Sequence, residues 1–204
     1  MVGMMATGSH DDLQHLLNLI SNTRFLKKQG LGNEVPFFIC PYDPKQAVPI
    51  TSLIKQLSNK LAQKGISVLE VNLYDLSIEI LDKNGDLDWY LKHEHELPKA
   101  KLMEDIQGVL DTKETLIPAI AKKMSERDFD VMFLTGIGEV FPFIRSHNVL
   151  NNLQSTAKEQ PTVMFFSGAY THSAEKGASL DLFARPSLQH DKYYRAFNIF
   201  DCEV

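Results

Sequence analysis

The stretch "VPFFICPYDPKQAVPITSLIKQLSNKLAQKGISVLEVNL", residues 35–73, decides the fold. Its first six residues are apolar almost without interruption and are bounded by turn residues, the pattern of a strand buried on both faces. After "PYDPKQ", Ile50, Leu53, Ile54, Leu57 and Leu61 recur at helical spacing, and Gly65 closes that helix. "ISVLEVNL", residues 66–73, reads as a second strand. Strand, helix and strand at this spacing make a βαβ unit, which joins parallel strands.

The same alternation extends outward in both directions. Leu13, Leu16, Leu17 and Ile20 form an amphipathic stripe behind the possible caps Ser9, Asp11 and Asp12. That helix is predicted to run to "KKQGLG", with Lys27 and Lys28 in its last turn and Gly30 as the stop. Residues 74–81 read as a short helix ending at "KNG", with Asn84 and Gly85 as the turn. Over residues 86–110 the periodicity weakens and charge rises, which we read as a helical insertion. Leu116, Ile117, Ile120 and Met124 give another helix, with Pro118 implying a kink or a late start. "VMFLT" (131–135) and "TVMFFS" (162–167) are further buried strands, residues 142–154 are the helix between them, and residues 197–200 suit a terminal strand.

This pattern predicts an α/β fold: a single three-layer domain with a mostly parallel central sheet flanked by helices, of P-loop/Rossmann-like topology. The chain has 204 residues and 44% hydrophobic content, enough for one well-buried core and short for two. The domain is placed at residues 11–204, behind a flexible or expression-derived segment 1–10 that contains "GSH". With 21 basic and 26 acidic side chains the formal net charge is -5, which disfavours nucleic acid or anionic membrane as a partner for the surface as a whole. The start lacks a basic segment followed by an apolar signal-length run, and no apolar window approaches the length of a spanning helix. Cys40, inside an apolar run, and Cys202 are the two cysteines, a usage that suits a reducing cytoplasm.

In an open α/β sheet, ligands bind beyond the carboxyl ends of the strands, where helix N-termini offer free N–H groups to anions. Gly136 and Gly138 in "FLTGIGEVFPFIRSH", residues 133–147, stand in that place. Phe141 occupies the position of the third glycine of a dinucleotide fingerprint, and Glu139 puts a carboxylate where a phosphate would go. Pro142 is read as the first helical residue, which removes a further donor. After the first strand, "PYDPKQAVPIT" has no glycine where a phosphate loop needs several; Asp43 is acidic, and Lys45 and Thr51 are isolated. A working P-loop is therefore not expected, nor is any cofactor. In the helix that follows the glycines, Phe143, Ser146, Val149, Leu150 and Leu153 turn inward, Arg145, Asn148 and Asn152 outward, and His147 lies at the boundary.

The other candidates are weaker. "HEHE", residues 93–96, offers adjacent metal-type side chains, yet on a helix neighbours diverge by about 100° and no second cluster completes a site. Ser167 and His172 in "SGAYTHS" lack a nucleophile motif. "DKYYRAF" interleaves Lys192 and Arg195 with Tyr193, Tyr194 and Phe197, which suits base stacking or, more commonly, packing on the domain. Asp75 in "NLYDL" either caps the following helix or lines the same edge as Glu139.

Together, "GLGNEVPFF", "VNLYDL", "LTGIGEVFPFIRSHNVLNNLQ", "TVMFFSGAY" and "LFARPSLQHDKYYRAF" resemble, in order and spacing, the BrxB family of BREX (bacteriophage exclusion) phage-defence systems. The resemblance runs from Leu13 to Phe200. It implies a cytoplasmic, non-catalytic accessory or scaffold component that acts through protein–protein contacts, with the alkaline-phosphatase-superfamily member PglZ as the first partner. It supplies no catalytic, cofactor or metal residues. The candidate partner-binding edge is Asp75, Gly136, Gly138, Glu139, Arg145 and His147. Nucleic-acid binding through "KYYRAF" with Arg145 and Arg195, and a degenerate nucleotide-binding enzyme, are the alternatives.

Overall fold

The computed structural model describes residues 4–28, 37–173, 177–183 and 196–202. Ser9 caps α1 (His10–Ile20): its Oγ accepts from Asp12 N at 3.1 Å, and Asp12 Oδ2 accepts from Ser9 N at 3.1 Å. This reciprocal capping box satisfies donors that the first turn leaves free. The helix stops earlier than the sequence predicts, because Asn22 caps a separate turn, α2 (Thr23–Leu26), through Arg24 N. Gly30, the predicted stop, lies outside the described residues. Ala6, within the expected loose leader, is 1% exposed, and its N–H donates to Pro41 O at 2.7 Å.

The βαβ unit is present as β1 (Phe37–Tyr42), α3 (Ala47–Gln63) and β2 (Val68–Asn72). Val35 and Pro36 lie outside the described residues. All five apolar positions read as the α3 stripe are buried. The next helix, α4 (Leu73–Asn84), opens immediately after β2 and stops at Gly85, which adopts a left-handed φ of 79°. The insertion follows as α5 (Asp86–His93), a 3-10 turn (Glu94–Glu96) and α6 (Lys99–Val109). A π-helical turn (Thr112–Leu116) leads into α7 (Ile117–Ser125), so Pro118 sits in the first helical turn, where its missing N–H costs nothing. Then come β3 (Val131–Thr135), α8 (Ser146–Leu153), β4 (Thr162–Ser173), β5 (Gly177–Leu182) and β6 (Ala196–Asn198). A 3-10 turn, Ile199–Asp201, replaces the second half of the predicted terminal strand.

The sheet runs β2-β3-β4-β1-β6, all parallel, and β5 pairs antiparallel with the outer half of β4. Strand residues alternate between two cores, one on each face. Phe38, Cys40, Val131, Phe133, Val163 and Phe165 face α1, α2 and α3. Phe37, Ile39, Met132, Leu134, Met164 and Phe166 face α4, α7 and α8. The continuous apolar runs of β1, β3 and the inner half of β4 follow from this, whereas the edge strand β2 alternates and exposes Glu70. No helix among the described residues is long and apolar enough to cross a membrane.

Pro142 does not open α8. The Phe141–Pro142 peptide bond is cis, residues 137–144 form turns, and helical geometry begins at Ser146. The predicted faces hold from there on, with Ser146, Val149, Leu150 and Leu153 buried, and Arg145 and Asn148 exposed.

Glu79 ties α4 to α7 across the second core. Its Oε2 accepts from Lys123 Nζ at 2.8 Å, and its Oε1 accepts from Lys83 Nζ at 2.6 Å. Hydrogen bonds from Lys123 and then Lys83 hold the carboxyl down to about 2, from an ordinary 4.5. A folded-state value below the unfolded one means that the unfolded chain takes up the proton first as pH falls. The contribution of Glu79 is therefore complete above pH 4.5 and disappears as pH drops towards 2. The Tm difference between the native chain and Glu79→Gln should shrink over that interval in a pH-scanned thermal melt. The effect should be small at its largest, because the side chain is 39% exposed.

Candidate functional site

Four strands end or pass at one edge of the sheet: β1 at Tyr42, β2 at Asn72, β3 at Thr135, and β4 at Ser167. The loop after β1 holds its own donors. Asp43 Oδ1 accepts from Lys45 N at 2.9 Å, and Asp43 O accepts from Gln46 N at 2.7 Å, closing a 3-10 turn before α3. Thr51 is likewise committed to the helix, its Oγ1 donating to Ala47 O at 2.9 Å.

Asn72 is the N-cap of α4, its Oδ1 accepting from Tyr74 N at 2.9 Å and Asp75 N at 3.2 Å. Asp75 therefore does not cap this helix. It lies exposed in the first turn, where a carboxylate suits the positive end of the helix dipole. Gly136 passes directly over this cap. Its φ is +74°, and a Cβ there would run into Asn72 Oδ1 and come within 3.0 Å of Tyr74 N. A Cβ on Gly138 would lie 3.1 Å from Ser167 Cβ and 3.4 Å from the Phe183 ring. Both glycines permit close backbone packing, one against α4 and one against the β4–β5 arm.

Beyond Ser167, β4 continues out of the parallel sheet and folds back as β5, with Gly168 opposite Leu182 and Tyr170 opposite Leu180. Tyr170 Oη anchors this arm by donating to Ala196 O at 2.5 Å. At the base of the arm, Tyr42 hydrogen-bonds Ser167, and burial, then the charge of Glu139, pushes its phenol up.

Two cavities meet at Glu139. A polar one of about 380 Å³ lies between α3 and the strand ends, lined by Tyr42, Thr51, Lys55, Glu70, Thr135 and Gly136 among others. Glu70 Oε1 accepts from Thr135 Oγ1 there at 3.1 Å. The other is an apolar groove of about 220 Å³ between α4, α5, α6 and the turn after β3. Tyr74, Leu81, Tyr90, Leu91, Ile106 and Phe143 supply much of its wall. Gln107 Nε2 donates to Pro142 O at 3.0 Å, fixing α6 to that turn.

Of the predicted edge residues, Gly136 and Glu139 come together at the polar cavity, and Gly138 packs beneath the arm. Asp75 lines a separate shallow pocket with Glu70, Glu79 and Lys123. Exposed Arg145 and half-buried His147, at the start of α8, line none of these three cavities. Tyr42, Glu70, Lys55 and the groove residues other than Glu139 and Phe143 were not singled out by sequence reasoning. The one available signal was the insertion itself, whose helices combine apolar residues with weak periodicity. None of the side chains on α5 or α6 is fully buried.

The remaining candidates are accounted for locally. His93 Nδ1 hydrogen-bonds Trp89 O at 2.8 Å and its ring stacks on Trp89 at 4.7 Å, while Glu94–Glu96 form an exposed turn. Among the described residues no group of three or more His, Cys, Asp or Glu is placed to hold a metal. Burial pushes the Cys40 thiol far up, and burial with Asp201 pushes Cys202 up to about 11, so neither is a thiolate at neutral pH. The side chain of His172 and the segment 192–195 of "DKYYRAF" lie outside the described residues.

The fold and its edge define a three-layer α/β domain in which a helical insertion walls an apolar groove beside the strand ends. The chain belongs to the BREX protein BrxB family, whose model matches residues 69–199. It is 32% identical over 94% of its length to the BREX protein BrxB of Bacillus cereus strain H3081.97, covering 97% of that protein. It is 28% identical over 92% of its length to the BREX protein BrxB of Escherichia coli O9:H4 strain HS, covering 89% of it. No solved structure matches the chain. The chain is thus a component of a BREX phage-defence system, as its motifs implied.

The glycine geometry gives a direct test. Gly136→Ala combines a disfavoured φ with displacement of the α4 cap and should cost about 2 kcal/mol in urea denaturation. Gly85→Ala, at φ +79° with no atom within 4 Å of the added Cβ, should cost about 1 kcal/mol, the backbone part alone.

Proposed function

We propose that this chain is a non-catalytic accessory component of its BREX complex, a scaffold acting through protein–protein contacts, with a PglZ-like protein as its first partner. One observation carries this reading. Seven large apolar side chains are exposed among the described residues, and four of them, Tyr74, Trp89, Leu91 and Met103, lie on α4, α5 and α6. They are 46%, 47%, 63% and 38% exposed. Scattered exposed apolar residues need no explanation, but a cluster beside an open groove marks a contact surface. Aromatic side chains such as Tyr74 and Trp89 are also the types that dominate binding energy at protein interfaces.

The chain should co-purify with a PglZ-like component when the system is expressed together. Trp89→Ser with Leu91→Asp should lower the recovered complex about tenfold or more while the isolated chain still melts cooperatively, because the two side chains are 47% and 63% exposed and outside both cores. Arg145→Ala, at an exposed residue that does not line the groove, provides the comparison. If Arg145→Ala abolishes the complex and the groove pair does not, the contact lies at the strand ends. A folded chain that associates with no BREX component would refute the accessory role.

A further inference from the structure

Resting on that reading, we propose that the groove between α4, α5 and α6 receives an amphipathic helix of a partner protein whose apolar face is flanked by Lys or Arg. Three features of the groove lead to this occupant. The first is size. At about 220 Å³ it falls below the roughly 300–1,000 Å³ of sites that enclose a drug-sized ligand, and it suits one or two inserted side chains.

The second is the nature of the walls. Three sides are α-helices, whose backbone groups are largely bonded within themselves, so the groove has no strand edge to which a partner's main chain can add. A segment that docks there must satisfy its own backbone, and a helix presenting anchors at i, i+3, i+4 and i+7 does so. The apolar lining, including Tyr74, Leu81, Tyr90, Leu91, Leu102 and Ile106, is what such anchors meet.

The third is charge. The only ionisable carboxylates or ammonium groups among the lining residues are Glu94 and Glu139, both acidic and both exposed. Asp105 and Asp86 add negative charge next to Tyr90, whose phenol is pushed up by burial and then by these two carboxylates. Lys101 balances Asp105 at 2.7 Å, but over residues 86–109 six carboxylates (Asp86, Asp88, Glu94, Glu96, Glu104 and Asp105) outnumber three lysines (Lys92, Lys99 and Lys101). A basic rim on the incoming helix meets this field favourably, and an acidic one is repelled.

The test uses the full chain with the photo-cross-linker p-benzoylphenylalanine in place of Leu91, mixed with the separately purified proteins of its own BREX system. The cross-link should map to a helical segment of one component with Lys or Arg beside its apolar positions. In a binding titration with that component, Glu94→Lys combined with Glu139→Lys should weaken affinity about five- to tenfold, through exposed residues whose replacement leaves the Tm unchanged. A cross-link to a strand, an acidic segment, a second copy of this chain or the chain's own residues would overturn the inference, as would an affinity indifferent to the charge reversal. A complex that forms without any cross-link from Leu91 would overturn the inference and leave the accessory role standing. Failure to associate with any component would remove both.

Discussion

Two-sided burial of β1 is the constraint on which the rest of the molecule depends. Phe37 and Ile39 enter one core and Phe38 and Cys40 the other, all at 0–2% exposure. A strand with no solvent face needs helices above and below it and strands on both sides, which β4 and β6 provide. The long crossover through α3 then has to carry the chain past β4 and β3 to the far edge, where β2 pairs, among the described strands, only with β3. The connections leaving β1 and β4 run to opposite sides, so the place that open α/β sheets use for ligands lies between these two strand ends.

In this protein the chain itself occupies much of that place. β4 leaves the parallel sheet at Ser167 and turns back as an arm, Tyr42 hydrogen-bonds Ser167 at its base, and Gly138 lets the turn after β3 press against Ser167 and Phe183. Gly136 does the same against the Asn72 cap of α4. The two glycines that suggest a phosphate cradle in sequence are required by close packing instead. Glu139 then stands between the remaining polar cavity and the apolar groove, contributing to the wall of each.

Much of the architecture was legible because β1, β3 and α3 are buried in a regular way. "VMFLT" is bounded on both sides by residues that end strands, and β3 spans those five residues. The stripe from Ile50 to Leu61 is buried at every predicted position. What failed were local decisions between neighbouring polar residues. Asn72 and Asp75 can both cap α4, and only the turn geometry at the end of β2 selects Asn72. Pro142 is compatible with a first helical position or a turn, and the anchoring of its carbonyl by Gln107, some 35 residues earlier, is a long-range contact. The site was less legible still. The groove is built from half-buried residues of three short helices, and partial burial on several sides erases the periodicity that marks a single buried face.

That loss of periodicity is itself informative about function. A helix that only covers a core keeps one apolar stripe and a polar back, as α3 does from Ile50 to Leu61. In the insertion, Leu87, Tyr90, Ile106 and Val109 pack against the second core, while Trp89, Leu91 and Met103 point to solvent from the same helices. Apolar residues on both sides of a helix give it one side packed on the domain and a second left exposed, the surface on which the proposed contact rests. The domain's own needs account for the first set alone. The arm and its glycine-permitted packing fill part of the strand-end edge and leave the cavity beside Glu139, while the second set stays exposed on the insertion.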